Sequence, residues 1–540
     1  MGRRTGFDFH INTVIGSDSN NGSREAPFAT LAHTIAQAAP NQSIGIAAGS
    51  NINEGGLDLR SLNGLTLEGY GDFATSGLPI IRSEAAMTGW QTSADRGDAF
   101  TNVYSIDLPI FAAPDSQRLV PFTAENGTVH DWVDSVANAN AAAGSFHVTT
   151  NGDQQGELTA GTWTFFVHPV GGTDPRSDNK TYTYTNAAGP VFGNDITLQY
   201  LEFGRQLHRN GCRLGLNATV RNVFLNQVHG CHSLYAASGL YEDVFGWQDF
   251  VDRRSEHIGL EFYVDDARGL TGIMRRCVFV GVEVENYLMY GIGGHAQTNA
   301  HLYDSITIED CATRFAGINT TATGWAGAMT LDRVHVDRGE VRLQQHTTSL
   351  VRDLWGEAAS DSEHILRFYN FGTNVVTGMR AYGDCDFGQV REIGDNGQVT
   401  RSVLCADGDP GTAFMIQGSV ANNTNLLVDG VIFDDQGGDW NRVISIGSGT
   451  LNAGSDNNVY SANPKASING TVSATLANLQ ANENTDANSV QVDPQLADPA
   501  NGDFTAEASG LPADSGLERF PTYTAIPTTV AAARAQAIAA

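Results

Sequence analysis

The chain has 540 residues, of which 60 are acidic and only 31 basic, so its formal net charge at pH 7 is −29. An acidic surface makes nucleic acid a poor partner, because binding to a phosphate backbone depends on basic contacts. The sequence contains no run of 18 apolar residues, which argues against insertion into a membrane.

The first 70 residues are predicted to begin the fold. The arm 1–15 has no apolar run of signal-peptide length, so we expect either a removed signal or export by another route, such as within a phage particle. Residues 16–70 should form an N-terminal cap and the first rungs of a sheet. Within them, an Ala-rich stretch ending at Ala39 predicts a short helix, and 44–48 predicts a strand. A helix there would cover the open end of the sheet.

Residues 71–190 lack the repeat that follows them and are predicted to form a small β insertion. Their aromatic residues could stack on sugar rings, but the favoured interpretation is that they form the core of the insertion. The residues concerned are Trp90, Trp132, Trp163, Phe165 and Phe166.

Residues 191–460 repeat one short phrase: an apolar residue, two polar or charged residues, an apolar residue and an alternating stretch. The copies end at Leu201, Val223, Val244, Cys277, Ile306, Val334, Leu354, Met379, Val403 and Val431, at intervals of 20 to 33 residues. Short alternating segments rich in β-branched and aromatic residues predict strands, and they lack the long periodic stretches of helical repeats. The predicted fold class is therefore all-β, a parallel β-helix in which stacked rungs bury one continuous core.

The two ends of the solenoid carry a resemblance. The opening over 16–39 and 44–48, together with 65–71, resembles the start of right-handed parallel β-helix proteins of the pectate-lyase-like superfamily, and 458–460, 486–489, 493–494, 501–504 and 514–516 resemble their closing segment. The resemblance implies a right-handed coil with a closing segment over 461–520. The C-terminal tail over 521–540 is Ala-rich, and 530–540 is predicted to be a short helix or a frayed end. The resemblance specifies fold better than activity, because the superfamily includes polysaccharide lyases, glycoside hydrolases, epimerases and phage tailspikes.

Cysteine and lysine usage adds two constraints. The six cysteines lack metal-ligand spacing and are predicted to be small buried core residues rather than disulfides. Lys180 and Lys465 are the only lysines, and both lie outside the central rungs, which disfavours a lysine base in the central groove. The acidic charge also disfavours a strongly anionic substrate, unless a local arginine cluster or a bound cation reverses the field.

The longest intervals between copies, 244–277 and 277–306, are predicted to form loops beside one groove that holds the functional site. The predicted catalytic residues are Asp249, Asp252, Arg253, Glu256 and His257, and the predicted substrate-binding residues are Trp247, Tyr263, Arg275, Tyr290 and His295. Two of the carboxylates could act as acid and base or nucleophile in glycoside hydrolysis. A lyase would instead need an Arg or His base, with Ca²⁺ held by Asp265 and Asp266. No other cofactor is expected.

The sequence thus favours binding, and in an enzymatic form depolymerisation, of a bacterial surface polysaccharide. The resemblance, the missing export signal and the early start of the rungs suggest an extracellular, virion-associated homotrimeric spike or fibre that contacts other virion proteins. A secreted polysaccharide lyase or glycoside hydrolase is the first alternative. A non-enzymatic β-helix adhesin or structural protein is the second.

Overall fold

The computed structural model describes most of the chain. The described residues are 6–111, 122–149, 158, 160–204, 210–227, 232–248, 258–264, 270–281, 290–296, 303–322, 327–344, 346–358, 364–369, 372–383, 385, 389–394, 396–406, 414–418, 424–434, 442–462, 465–517 and 521–540. Strands dominate them. The helices are α1 Leu31–Gln37, α2 Phe73–Ser76, α3 Ser93–Arg96, α4 Val136–Ala141, α5 Leu476–Glu483 and α6 Val530–Ala539, with one 3₁₀ turn at Pro499–Asn501.

The first strands are β1 Phe9–Ile11, β2 Ser43–Ala47, β3 Asn51–Asn53, β4 Asp58–Leu59, β5 Thr66–Tyr70, β6 Ile80–Arg82, β7 Glu84–Ala86, β8 Tyr104–Ile110, β9 Thr123–Glu125, β10 Thr128–Val129, β11 Asp131–Trp132, β12 Ser145–Val148, β13 Gly161–His168, β14 Tyr182–Thr185, β15 Val191–Phe192, β16 Thr197–Gly204, β17 Asn210–Leu214, β18 Ala218–Asn226, β19 His232–Ala236, β20 Gly239–Trp247 and β21 Ile258–Val264.

The remaining strands are β22 Leu270–Arg275, β23 Val278–Val280, β24 Tyr290–Ala296, β25 Tyr303–Glu309, β26 Ala312–Arg314, β27 Gly317–Ala322, β28 Ala328–Asp332, β29 His335–Asp337, β30 Val341–Gln344, β31 Thr348–Arg352, β32 Trp355–Glu357, β33 Leu366–Tyr369, β34 Thr373–Thr377, β35 Arg380–Tyr382, β36 Val390–Ile393, β37 Gln398–Thr400, β38 Val403–Cys405, β39 Phe414–Gly418, β40 Thr424–Asp429, β41 Ile432–Asp434, β42 Arg442–Ile446, β43 Gly449–Leu451, β44 Val459–Tyr460, β45 Ala466–Ile468, β46 Thr471–Ser473, β47 Val490–Gln491, β48 Leu496–Asp498 and β49 Asp503–Ala506.

The chain divides into two compact units. Unit 1 comprises Met1–Glu261 with Pro527–Ala540, and unit 2 comprises Phe262–Ile526. In unit 1, β1, β2, β5, β16, β18 and β20 pair in parallel in that order. Strand β2 and helix α1 confirm the strand and helix predicted from the sequence. That α1 caps the first rung stays a prediction.

Between β7 and β14, unit 1 contains a separate β structure. It consists of two four-stranded sheets, in the orders β10-β9-β14-β7 and β11-β12-β13-β8. Phe165 is buried in the core that they share, and Trp90, Trp132 and Trp163 pack against it. The Arg96 guanidinium lies over the ring of Phe166, 5.4 Å from the centre of that ring. These contacts confirm the core interpretation for most of the aromatic residues, while the boundaries of the six predicted segments stay predictions.

In unit 2 the strands recur in threes. Strands β28, β29 and β30 each pair in parallel with β31, β32 and β33, which pair in turn with β34, β35 and β36. The first two strands of each triplet belong to one large parallel sheet, here sheet A, and the third belongs to a second, here sheet B. Apolar side chains align in this register: Leu331, Val351 and Val376 are adjacent and fully buried.

The repeated phrase marks the bend between the two sheet A strands of a triplet. Its third residue adopts a left-handed conformation, with φ near +50°, in most copies. These residues are Tyr200, Asn222, Asp243, Arg276, Arg333 and Asp353, and glycine occupies the equivalent positions 378 and 430. Because L-residues with side chains avoid this region, a repeated non-glycine residue there indicates that neighbouring rungs determine the bend.

Two copies of the phrase were predicted in the wrong register. In the copy that ends at Ile306, the left-handed residue lies further on, at Asp310, because β25 continues its alternation to Glu309 before turning. In the copy that ends at Val403, the left-handed residue is Arg401, one position before the third residue of the phrase, Ser402. Ser402 was overlooked because it is polar, yet it is fully buried.

Side chains that follow the bend link neighbouring rungs. Ser402 Oγ accepts a hydrogen bond from the Met379 backbone N–H at 3.1 Å, and Cys311 Sγ accepts one from Cys277 N–H at 3.3 Å. Cys212, Cys277, Cys311, Cys385 and Cys405 are buried thiols rather than disulfides, which confirms the prediction for these five. Cys231 lies outside the described residues.

The closing segment covers one face of sheet A in unit 2. Phe504 packs with Val403, Ile432 and Val459 in one buried cluster. Further along, the Tyr523 ring lies 5.5 Å from the ring of Trp355, and Thr524 Oγ1 donates to the Asp310 carbonyl.

In unit 1, the predicted tail is helix α6, which packs against β18 and β20. Arg534 donates two hydrogen bonds to Glu202, at 2.7 and 2.9 Å. Ala533 and Ala537 are fully buried, so the helix is held by packing as well as by charge.

Candidate functional site

Most of the predicted site lies outside the described residues. This applies to Asp249, Asp252, Arg253, Glu256, His257, Asp265 and Asp266. Tyr263, Tyr290 and His295 belong to strands β21 and β24, but their side chains are also outside the described part. Their predicted roles, and the Ca²⁺ site, therefore stay predictions.

Trp247 and Arg275 are the two predicted residues whose side chains are described. Trp247 ends β20, is half-buried and is in register with Asn226, whose side-chain amide donates to Glu202 at 2.9 Å. Arg275 ends β22 and forms an ion pair with Glu309 at 3.1 Å. The structure thus places Arg275 in a network of charges, and its role in substrate binding stays a prediction.

That network follows the outer face of sheet A in unit 2, and we call it the alternating row. It consists of Arg275, Glu309, Asp332 and Arg352, which are in register on four neighbouring rungs, together with Arg333 and Asp310 at the bends. Arg333 contacts Glu309, Asp310 and Asp332 at 2.6 to 2.7 Å. Hydrogen bonds to these carboxylates raise the pKa of Arg333. The row therefore supplies its own counter-charges.

A different arrangement lies on sheet B. Arg342, Arg367 and Arg391 are in register on β30, β33 and β36, and we call them the arginine ladder. They alternate with inward residues such as Val341 and Leu366, which are fully buried, so the arginines belong to the outer face of the sheet. Neighbouring parallel strands are about 4.8 Å apart. Two unit charges about 5 Å apart repel by about 3 kcal/mol at an effective dielectric constant of 20.

Two carboxylates compensate part of this charge. Glu340 accepts hydrogen bonds from Arg342 at 2.8 to 2.9 Å and is only 3% exposed. Glu392 accepts two from Arg367, at 2.9 and 3.1 Å, and lies 3.7 Å from Arg391. The arginine side chains are 27%, 14% and 17% exposed, which keeps their charges partly shielded from water.

His364 lies beneath the ladder. It is fully buried, and its Nε2 is 3.4 Å from Glu340 Oε2. Neither ring nitrogen has a hydrogen-bond partner among the described residues. Burial, followed by the field of the three ladder arginines, lowers the pKa of His364 to about 2. The imidazole is therefore neutral at physiological pH and can donate one N–H.

Polar and aromatic groups flank the ladder. The Arg367 guanidinium lies 3.7 Å from the ring centre of Tyr369, whose neighbour in register is Gln344. Asn319 is in register with Arg342 and is buried. Amides, guanidinium groups and a phenol ring together can bind hydroxyl and carboxylate oxygens on successive rungs.

The sequence contained a signal for this site that the predictions did not use. Arginine recurs at 342, 367 and 391, each time between or beside apolar residues of an alternating strand. The predicted site followed the longest intervals instead, whereas the ladder lies on regular rungs. Within the described ranges, no group of three or more His, Cys, Asp and Glu side chains is placed to hold a metal ion. Likewise, no helix in the described part of the chain is long and apolar enough to cross a membrane.

Comparison with known proteins found no matching family model and no match among curated proteins. Among solved structures, the chain is similar to XylC in complex with xylose, with 9% identity, coverage of 91% of this chain and 87% of the other, and a TM-score of 0.40. A protein described as a glycoside hydrolase shows 11% identity, coverage of 93% and 99%, and a TM-score of 0.33.

A third similar structure is the GH136 lacto-N-biosidase from Eubacterium ramulus, with 9% identity, coverage of 81% and 65%, and a TM-score of 0.27. Likenesses of this size carry no argument about the activity of this chain. The functional inference depends on the residues themselves.

Proposed function

We propose that this chain is a carbohydrate-active protein that binds a polysaccharide along the outer face of sheet B in unit 2, across the arginine ladder. The observation that carries the proposal is the register of the ladder: Arg342, Arg367 and Arg391 present the same hydrogen-bonding group on three neighbouring rungs. A polymer with a repeating unit is the kind of ligand that such a repeating surface can bind along its length. The Tyr369 ring beside Arg367 adds an aromatic surface of the type that stacks on sugar rings.

The proposal includes a right-handed parallel β-helix as the scaffold. The support is the recurrence of strands in threes, each paired in parallel with its equivalent in the next triplet, and the bend repeated between the first two. A chain that passes through the same three strand directions in every turn of a coil would produce this pattern. The rest of each turn then serves as the crossover that any two consecutive parallel strands require.

The enzymatic form of the proposal is cleavage of the bound glycan, as a glycoside hydrolase or a polysaccharide lyase. The carboxylates predicted to perform hydrolysis, Asp252 and Glu256 foremost, remain candidates on the sequence argument alone.

Location outside the cell, a virion-associated spike and a homotrimer are further predictions, which sedimentation analysis of the purified chain can begin to test. A monomer would count against the spike.

Retention on immobilised neutral and acidic bacterial polysaccharides tests the proposal. We expect at least one polymer to be retained, and we expect Arg367→Ala to weaken its affinity about tenfold, which corresponds to about 1.4 kcal/mol. Arg352→Ala is the matched control, because Arg352 lies on sheet A in the alternating row. Release of reducing ends would indicate a hydrolase, and an unsaturated, ultraviolet-absorbing product would indicate a lyase. Retention of no polymer, or equal losses in both variants, would contradict the proposal.

A further inference from the structure

Two cysteines occupy the same position on neighbouring rungs of unit 2. The register pairs Val278, which follows Cys277, with Ala312, which follows Cys311. The Ala312 N–H also donates to the Cys277 carbonyl at 2.9 Å. Neighbours in register on parallel strands are about 4.8 Å apart, within the range of about 4.4 to 6.8 Å that separates the α-carbons of disulfide-bonded cysteines. The backbone therefore holds this pair at a distance that a disulfide can span.

The side chains of the pair contact each other. Cys311 Sγ accepts the Cys277 backbone N–H at 3.3 Å, and the two thiols are hydrogen-bond partners of each other. Each sulfur also lies close to the carbonyl oxygen two residues before it, at 3.5 Å from that of Arg275 and at 3.3 Å from that of Glu309. Because the contacts on the two rungs are equivalent, the sulfur atoms lie on the same side of their strands and face one another.

The hydrogen bond between these rungs does not require the thiol of Cys277. Two later rungs of the same column have a comparable bond. Ser402 Oγ accepts the Met379 N–H at 3.1 Å, and Asn458 Oδ1 accepts the Val431 N–H at 2.9 Å. In both cases the residue that supplies the N–H has an apolar side chain. A cysteine at 277 therefore adds a second sulfur to a contact that an aliphatic residue can form.

We propose that Cys277 and Cys311 form a disulfide when the chain folds with a disulfide-bearing oxidant, either a low-mass disulfide or a disulfide oxidoreductase. One cysteine thiolate attacks the disulfide of the oxidant, forms a mixed disulfide and releases one thiol. The other cysteine thiolate then attacks the cysteine sulfur of the mixed disulfide, which joins the two cysteines and releases the second thiol. Two cysteine thiols are oxidised, one disulfide of the oxidant is reduced, and its two sulfurs take up the two protons.

The bond should form while these rungs are still open. Both thiols are fully buried in the folded chain. Burial, followed by the contact with Cys277, raises the pKa of the Cys311 thiol. Since the thiolate is the reactive form, the folded pair should react slowly. The bond would span a sequence separation of 34 residues and enclose the predicted substrate-binding residues Tyr290 and His295. Oxidation during folding would therefore join the two ends of that segment.

Refolding under two redox conditions tests the inference. The reduced, denatured chain is refolded with a mixture of oxidised and reduced glutathione, or with dithiothreitol, and free thiols are blocked before digestion and mass mapping. In the glutathione mixture we expect a peptide pair that joins Cys277 to Cys311 and lacks two hydrogen atoms. The oxidised protein should unfold at a temperature about 5 °C higher than the reduced one, because the bond restricts the unfolded chain. Oxidised glutathione added to the folded, reduced chain should produce the pair about tenfold more slowly.

Two variants serve as matched controls. Cys277→Val keeps the N–H that Cys311 accepts and introduces the residue that the column already has at Val431. It should fold, form no linked pair and unfold at the same temperature in both buffers. Cys212→Ala removes a buried cysteine whose neighbour in register is Leu234, so the linked pair should still form.

Mass mapping of the wild-type chain decides the inference even where a variant misfolds. Six free thiols after refolding in the glutathione mixture would overturn it, as would a link from Cys277 or Cys311 to any other cysteine. Equally fast formation of the pair in the folded chain would contradict closure during folding. The inference is independent of the proposed function, because the pair can form whether or not a polysaccharide is retained.

Discussion

The two outer faces of unit 2 use arginine in opposite ways. In the alternating row of sheet A, Arg275 and Arg333 meet Glu309 across neighbouring rungs. On sheet B, Arg342, Arg367 and Arg391 follow one another in register with no carboxylate between them in the row. The same stacking geometry therefore places opposite charges in register on sheet A and arginines in register on sheet B.

This difference distinguishes a charged surface that stabilises the fold from one that is a candidate for binding a ligand. Opposite charges directly facing each other across strands stabilise a sheet, and like charges destabilise it. An alternating row needs no ligand to explain it, since its charges satisfy one another. The ladder repeats one hydrogen-bonding group on neighbouring rungs, so it is the better candidate for binding a repeating ligand.

The largest expected effect follows from removing the arginine that neutralises the buried Glu340. Arg342→Ala leaves this carboxylate, only 3% exposed, without the guanidinium that binds it. We expect the free energy of unfolding to fall by about 3 kcal/mol, because an uncompensated buried charge is costly. Chemical denaturation measures this, and the double variant Arg342→Ala with Glu340→Ala should recover part of the loss. No recovery would show that Glu340 and Arg342 are not coupled.

The next effect is a dependence of stability on pH that arises at His364, next to the ladder. In the unfolded chain His364 binds a proton near pH 6.5, but in the folded chain only near pH 2. The contribution of His364 to the free energy of unfolding is therefore complete above pH 7. It falls as the pH drops, by about 2 kcal/mol between pH 7 and pH 5. Comparing unfolding of the wild type and His364→Asn at both pH values isolates this contribution. Identical slopes in the two proteins would contradict it.

A smaller effect is expected in the alternating row. Arg333→Ala removes three ion pairs, but its side chain is 25% exposed, so screening by water limits the loss to about 1 kcal/mol in the free energy of unfolding. Binding of any glycan should be unchanged. A stability loss as large as that of Arg342→Ala would erase the distinction between the two faces.

The smallest effect is expected at the edge of the same row. Arg352 is 44% exposed and lies 3.6 Å from Asp332. Arg352→Gln should change the free energy of unfolding by less than about 0.5 kcal/mol and should not alter glycan retention. This variant thereby sets the baseline against which ladder variants are measured. A clear loss of retention would place the glycan on sheet A instead.

Sequence periodicity predicted the strands well because inward residues such as Leu331 and Val351 recur at each rung. It aligned the copies of the phrase less well. At Ser402 the inward position is polar, and its hydrogen bond to the neighbouring rung cannot be recognised from hydrophobicity. The seven-residue length of β25 likewise shifted the copy assigned to Ile306.

The candidate site was harder to predict for a different reason. Loop length identifies places where a scaffold is modified, but the ladder requires no modification: Arg342, Arg367 and Arg391 occupy ordinary outward positions. Their significance depends on register, which joins residues more than 20 positions apart. Register becomes visible only once the lengths of all intervening strands and loops are known. The role of the carboxylates around Asp252 remains as the sequence predicted it.

Helix α6 has a consequence for how unit 1 is completed during synthesis. Arg534 meets Glu202 across 332 residues of sequence. At 5 to 20 residues per second, the ribosome needs roughly 17 to 66 s to add that length of chain. For that interval the face of β18 and β20 that receives Ala533 and Ala537 has no helix upon it. The nascent protein therefore presents an uncovered apolar strip, which makes this face the place where a chaperone would be expected to act.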